Sequence, residues 1–74
     1  MENFKIKLNT IAKVQAFVTA ITPLDSDFDL ICGRYIVNAK SIMGVFSLDL
    51  QQNLELKVYD YTEDIGARIE PYLV

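Results

Sequence analysis

Apolar and polar residues change period along this chain, and each change marks an element. Phe4, Ile6 and Leu8 alternate with Lys5, Lys7 and Asn9. Period two predicts a strand with one buried face and one wet face. The next period is longer. Ile11, Val14, Phe17, Val18 and Ile21 share one face at about 3.6 residues per turn, with Lys13, Gln15 and Thr19 opposite. Asn9 or Thr10 supplies the N-cap and Thr22-Pro23 the stop, so residues 10–22 are expected to form a helix that covers a sheet. Leu24 to Ser26 is a short polar turn. Phe28, Leu30 and Cys32 then alternate with Asp27, Asp29 and Ile31, Gly33-Arg34 turns the chain, and Tyr35, Ile36 and Val37 form a third strand. So tight a connection implies an antiparallel hairpin.

Further on, Ser41 is a good N-cap, and Ile42, Val45 and Phe46 repeat at helical spacing. Gly44 disfavours a long helix, so a short one over roughly 41–49 is expected. Gln51 to Asn53 is a turn. Leu54, Leu56 and Val58 alternate with Glu55 and Lys57 as a fourth strand. Thr62 caps a last helix, with Glu63 and Asp64 in its first turn, where carboxylates suit the dipole. Ile65, Ile69 and Leu73 make its apolar stripe, and Pro71 ends or distorts it. The order is β-α-β-β-α-β-α, without linker, repeat or low-complexity segment. This predicts one α+β domain over residues 1–74, an open-faced sandwich whose four-stranded antiparallel sheet carries three helices on one face.

Composition narrows the chemistry. Of 74 residues, 51% are apolar and 23% charged, which suits a folded domain. So small a domain with so many apolar residues leaves some of them exposed, and partner binding or self-association becomes a natural expectation. The chain contains no histidine, which excludes imidazole acid–base catalysis, histidine metal ligands and phosphohistidine. Cys32 is the only cysteine, so neither an internal disulfide nor a thiolate metal cluster can form. A net charge of -3 argues against direct nucleic-acid binding. No apolar run approaches the about 20 residues of a membrane span, and the alternating N-terminus does not read as a signal peptide. A reducing, cytoplasmic location is expected. No Ser/His/Asp, Cys/His or phosphate-loop pattern exists, so neither an enzyme nor a bound cofactor or metal is expected.

Weaker constellations each have a plainer reading. Asp25, Asp27 and Asp29 are spaced by two, but they read as a solvated strand face rather than a metal site. Cys32 is expected to be an inert thiol on the buried face. Tyr59, Tyr61 and Tyr72 read as packing residues around the fourth strand and last helix. Ile31 and Ile36 point to the second sheet face, which hints that this face is not wholly solvated.

The sharpest string is Val37-Asn38-Ala39-Lys40-Ser41-Ile42-Met43-Gly44-Val45-Phe46-Ser47-Leu48. It resembles the regulatory-serine segment of HPr, the histidine-containing phosphocarrier family of the bacterial sugar phosphotransferase system. The element order agrees with that family's fold. With Ala39, the string looks most like the catabolite-repression branch, which lacks the phosphocarrier histidine. The resemblance puts the family's regulatory serine on Ser41. An ungapped alignment through Phe17-Val18 and the Ser41 string puts Thr10 at the phosphohistidine position. The family's following arginine and proline fall on Ala12 and Lys13. The accepting loop is shortened as well as chemically empty, and the last helix looks truncated. Threonine cannot replace an imidazole whose phosphoramidate passes phosphate onward.

Ser41 also has a physical case. A phosphate at a helix start meets unpaired N–H groups and the positive dipole end, worth about 0.3–1 kcal/mol, and Lys40 next door is expected to add a cation. The plain alternative is that Ser41 is only an N-cap. Ile42, Met43 and Phe46 are candidate contact residues, since the family's short helix docks apolar side chains into partner proteins; Val45 and Leu48 look more like core. Two functions follow. One is a non-catalytic regulatory or adaptor protein, gated by phosphate on Ser41 and binding through Lys40, Ile42, Met43 and Phe46, with a serine kinase and a transcriptional regulator as the partners. The other is a structural module that self-associates, with Ile31, Ile36 and the tyrosines at a homodimer interface.

Overall fold

The computed structural model describes residues 1–74. Strand β1 spans Glu2–Ile6, helix α1 Ile11–Ile21, β2 Phe28–Cys32, β3 Tyr35–Asn38, α2 Ile42–Phe46, β4 Leu54–Val58 and α3 Glu63–Ile69, and a 3-10 turn follows over Glu70–Tyr72. Every element predicted from periodicity is present, in order. Helix α2 is shorter than expected: it ends at Phe46, where Ser47 caps it, and residues 47–49 belong to the turn toward β4.

All three α-helices begin alike. Thr10, Ser41 and Thr62 sit in extended conformation, and each hydroxyl accepts from the backbone N–H three residues on, at 3.1, 3.3 and 3.3 Å. This satisfies one of the donors that a helix start leaves free. Gly33 turns the β2–β3 hairpin with φ +61°, while no other residue has positive φ. That sign pattern is the one a two-residue type II′ turn requires.

The sheet runs β1-β4-β2-β3, antiparallel throughout. Its register aligns Phe4, Leu56, Leu30 and Val37 in one row across the strands, and Ile6 with Leu54 in the next. These residues face the helices. Val14, Phe17, Val18 and Ile21 of α1, Val45 of α2, and Ile65 and Ile69 of α3 close over them as one buried core. The opposite face is polar for most of its width. One row reads Asn3, Lys57, Asp29, Asn38, and the next reads Lys5, Glu55, Ile31, Ile36. Unlike charges stand side by side there, as suits a wet face.

Three apolar positions depart from the expectation. Ile11 belongs to the α1 stripe by angle, yet it is 67% exposed. Helical side chains lean toward the N-terminus, so a first-turn side chain reaches past the covered stripe. Leu73 does not extend the α3 stripe. Pro71 tightens the chain into the 3-10 turn, and Leu73 then bridges to Ile6 at the outer edge of β1. Cys32 lies on the expected face and packs against the core, but it is only half-buried, because it ends β2 beside the hairpin turn, where a shallow cleft lined by Arg34, Leu48 and Gln52 leaves it partly open.

Candidate functional site

The string from Lys40 to Phe46 folds as a cap followed by a single short helix. Ser41 is exposed, and its hydroxyl faces the N–H of Gly44 at 3.3 Å. Val45 turns inward and is fully buried, as is most of Leu48. Met43 is 76% exposed, and Ile42 and Phe46 are 36% exposed each. Five residues of helix therefore split cleanly: one anchors α2 to the core, while Ile42, Met43 and Phe46 present an apolar face directly after the serine. Spacing by three and four explains their shared side.

Lys40 does not play the part that its neighbourhood in sequence implied. Its ammonium donates to the carbonyl of Leu24 and lies 5.6 Å from the centre of the Phe28 ring. The charge is thus committed to the loop before β2 rather than to the space in front of Ser41. Its own backbone N–H donates to Asn38 Oδ1 at 2.9 Å, which shapes the turn that delivers Ser41 to the helix start.

Thr10 is an exposed N-cap whose hydroxyl accepts from Lys13 N–H. The first turn of α1 holds no acidic residue, and Ala12 and Lys13 are both exposed. The Thr10 hydroxyl is engaged as a helix cap, and the side chain offers no nitrogen for phosphate.

The remaining candidates are not gathered into one site. Asp29 accepts a 2.7 Å hydrogen bond from the Tyr59 hydroxyl on the open face of the sheet. This bond, with the neighbouring charges of Asp29 and Asp27, holds the Tyr59 phenol above its ordinary range. Asp25, Asp27 and Asp29 do not converge with any other carboxylate or thiol as a metal-binding group. The three tyrosines pack separately: Tyr61 tilts against Phe4 at 5.5 Å, Tyr72 meets Phe17 edge-on at 5.3 Å, and Tyr59 lies beneath Lys57. Ile36 is 64% exposed on the open face, with Ile31 beside it half-buried.

Two residues were missed by sequence reasoning. Ser26, placed in a polar turn, is buried; its hydroxyl accepts from Asp60 N–H at 2.9 Å and donates to the Asp27 carbonyl at 3.1 Å, tying the start of β2 to the loop before α3. Nothing local distinguishes it from other turn serines, since its partner is distant in sequence. Tyr35, assigned to strand pairing, stands 67% exposed at the sheet margin.

No helix is long and apolar enough to cross a membrane. No protein-family model matches the chain, and no curated protein matches it either. Among solved structures, the chain is similar to HPr-C-His from Thermoanaerobacter tengcongensis, with a TM-score of 0.81 and 25% identity over 97% of this chain and 91% of that one. The strand order, the helices on one face and the near-complete coverage of both chains agree with the family that the Ser41 string resembles: this chain is an HPr-like protein.

Proposed function

We propose that this chain is a regulatory adaptor on the HPr fold: it binds protein partners, transfers no phosphate through histidine, and is gated by phosphorylation of Ser41. The observation that carries this reading is the junction of Ser41 and α2. An exposed serine hydroxyl stands at the start of a helix whose next residues, Ile42, Met43 and Phe46, form an uncovered apolar face. A phosphate on Ser41 puts nearly two negative charges at the margin of that face. It strengthens or blocks docking according to the charge of the partner. With Lys40 held by Leu24 and Phe28, the phosphate has no cation supplied by the adjacent residue, so a partner's arginine or lysine becomes its counter-charge. Met43 on such a face adapts to partners of differing shape. The partners supported by the resemblance are a serine kinase of the HPr type and a transcriptional regulator.

Absence of histidine removes the family's phosphocarrier step from this chain. Thr10, engaged as a cap, offers no replacement.

The test is intact-mass analysis after incubation with an HPr serine kinase and ATP, and separately with enzyme I and phosphoenolpyruvate. The expected result is one phosphate from the kinase, absent in Ser41→Ala, and none from enzyme I. Removing the cap costs about 1 kcal/mol, so circular dichroism must show Ser41→Ala folded. No phosphate from the kinase overturns the Ser41 switch. Phosphate from enzyme I overturns the non-carrier reading.

A further inference from the structure

Two edges bound the sheet, and only one is closed. Hydrogen bonds from Tyr59 N–H to Asp27 O and from Ala39 N–H to Phe28 O set which backbone groups point where. Residues 28, 30 and 32 of β2 bond to residues 39, 37 and 35, whereas the alternate pairs Ile31–Ile36 and Asp29–Asn38 do not bond across. The same alternation turns the backbone of Lys5 and Lys7 outward from β1. There the chain covers itself: Lys7 N–H donates to Tyr72 O at 2.9 Å, and Val74 N–H donates to Lys5 O at 3.0 Å.

Along β3 and the turn residue before it, the outward groups are those of Arg34, Ile36 and Asn38. The Asn38 carbonyl is occupied by Ser41 N–H, but no chain segment lies along Ile36. Natural edges are blunted by shortness, by charged side chains, by proline, by a bulge or by a covering loop, and of these β3 has its shortness, four residues. Tyr35, Ile36 and Val37 carry no charge, proline or bulge, and the first two are 67% and 64% exposed.

We propose that two copies of this chain pair antiparallel through β3, about a two-fold axis at Ile36, and join their sheets into one. The outward parity dictates this family of registers, because opposed residues must both point their amides across the gap. A register centred on Ile36 overlaps the most strand. Ile36 then exchanges both backbone bonds with its copy, Tyr35 opposes Val37, and Arg34 opposes Asn38. No like charges meet. The parity also keeps both helix layers on one side and lines up Ile31, Ile36, Ile36 and Ile31 as an unbroken apolar row on the other. A second copy fits because the edge is self-complementary under two-fold symmetry. Tyr59, Tyr61 and Tyr72 take no part, since each is committed within its own chain.

A strand of four residues buries far less than the about 1,200 Å² of a stable interface, so the dissociation constant is expected on the order of 0.1–1 mM. The inference is independent of Ser41.

Sedimentation equilibrium from about 10 μM to about 1 mM spans that constant. The apparent mass is expected to rise from one chain toward two. Ile36→Lys, which sets two ammonium groups against each other on the axis, is expected to stay monomeric throughout. Met43→Lys on α2 is expected to leave the rise unchanged. Both positions are exposed, and circular dichroism verifies folding. A monomer at the top of the range overturns the proposal, as does a rise that survives Ile36→Lys or is abolished by Met43→Lys.

Discussion

Ser26 carries more of the fold than its size suggests. It is the polar residue within the buried set, and its hydroxyl both receives the Asp60 amide and bonds the Asp27 carbonyl. Ser26→Ala leaves that amide without its partner and is expected to cost about 1–3 kcal/mol. Thermal midpoints in domains this small move by about 4–8 °C per kcal/mol. Ser47→Ala, which removes an exposed hydroxyl bonded to Gly44 O, is expected to stay within about 0.5 kcal/mol. Equal losses for the two serines would refute the assignment. Tyr59 gives a second prediction. Its phenol is held neutral above the ordinary tyrosine range, chiefly by the bond to Asp29. A raised folded value means that the bond's contribution is present below about pH 10, the unfolded value, and is lost as pH rises through the folded one. Phenolate absorbance should show a late ionisation that Asp29→Ala moves down toward the ordinary tyrosine range; a titration unmoved by that change would break the argument. At this scale the sequence was legible where chemistry is local. Thr10, Ser41 and Thr62 read as caps because each needs only the next few residues. Lys40 and Ser26 were misread because their surroundings come from residues 16 and 34 positions away.

Elements were legible from period alone, and their ends less so, since termination depends on what lies beyond. Helix α3 shows how a neighbour enters. A Cβ on Gly66 would lie 2.1 Å from the Tyr61 hydroxyl oxygen, so the glycine makes room for a ring laid across the helix from the loop before it. That ring rests against Phe4, an aromatic contact worth about 0.5–1.5 kcal/mol. Glycine within a helix costs about 0.8–1 kcal/mol relative to alanine. The two effects nearly cancel, and Gly66→Ala alone is expected to change stability little, because Tyr61 is partly exposed and swings aside. In a Tyr61→Ala background the obstacle is gone, so the same substitution is expected to stabilise by about 1 kcal/mol. Urea midpoints of the four proteins give the coupling between the two positions. A zero coupling would show that the ring and the glycine are unrelated.

The whole molecule depends on pairing that no local pattern reveals. Alternation identified four strands, and the hairpin turn paired β2 with β3. The placement of β4 between β1 and β2 comes from pairing between segments distant in sequence. The open face was legible as mostly wet, because Lys5, Glu55, Lys57 and Asp29 occupy its parity, and Ile31 and Ile36 stood out as exceptions to it. What closes the β1 edge was not legible. Residues 72–74 carry no strand alternation, and they reach that edge only because Pro71 redirects the chain after α3. The two edges therefore have different defences. On β1 the cover is the C-terminal segment, and beneath it Lys5 and Lys7 remain as charged residues that discourage pairing with another chain. Deleting Leu73 and Val74 removes the donor to Lys5 O and the bridge to Ile6. The expected cost is about 1–2 kcal/mol, roughly one hydrogen bond and a strip of buried apolar surface. Urea unfolding should show the midpoint falling with little change in slope, since nearly the same surface is exposed on unfolding. In the Ile36→Lys background the truncated chain should remain monomeric, because the newly bared edge still carries its lysines. An unchanged midpoint would mean that the segment only rests on the sheet, and association through the bared edge would mean that the cover, rather than the charge, is what keeps β1 single.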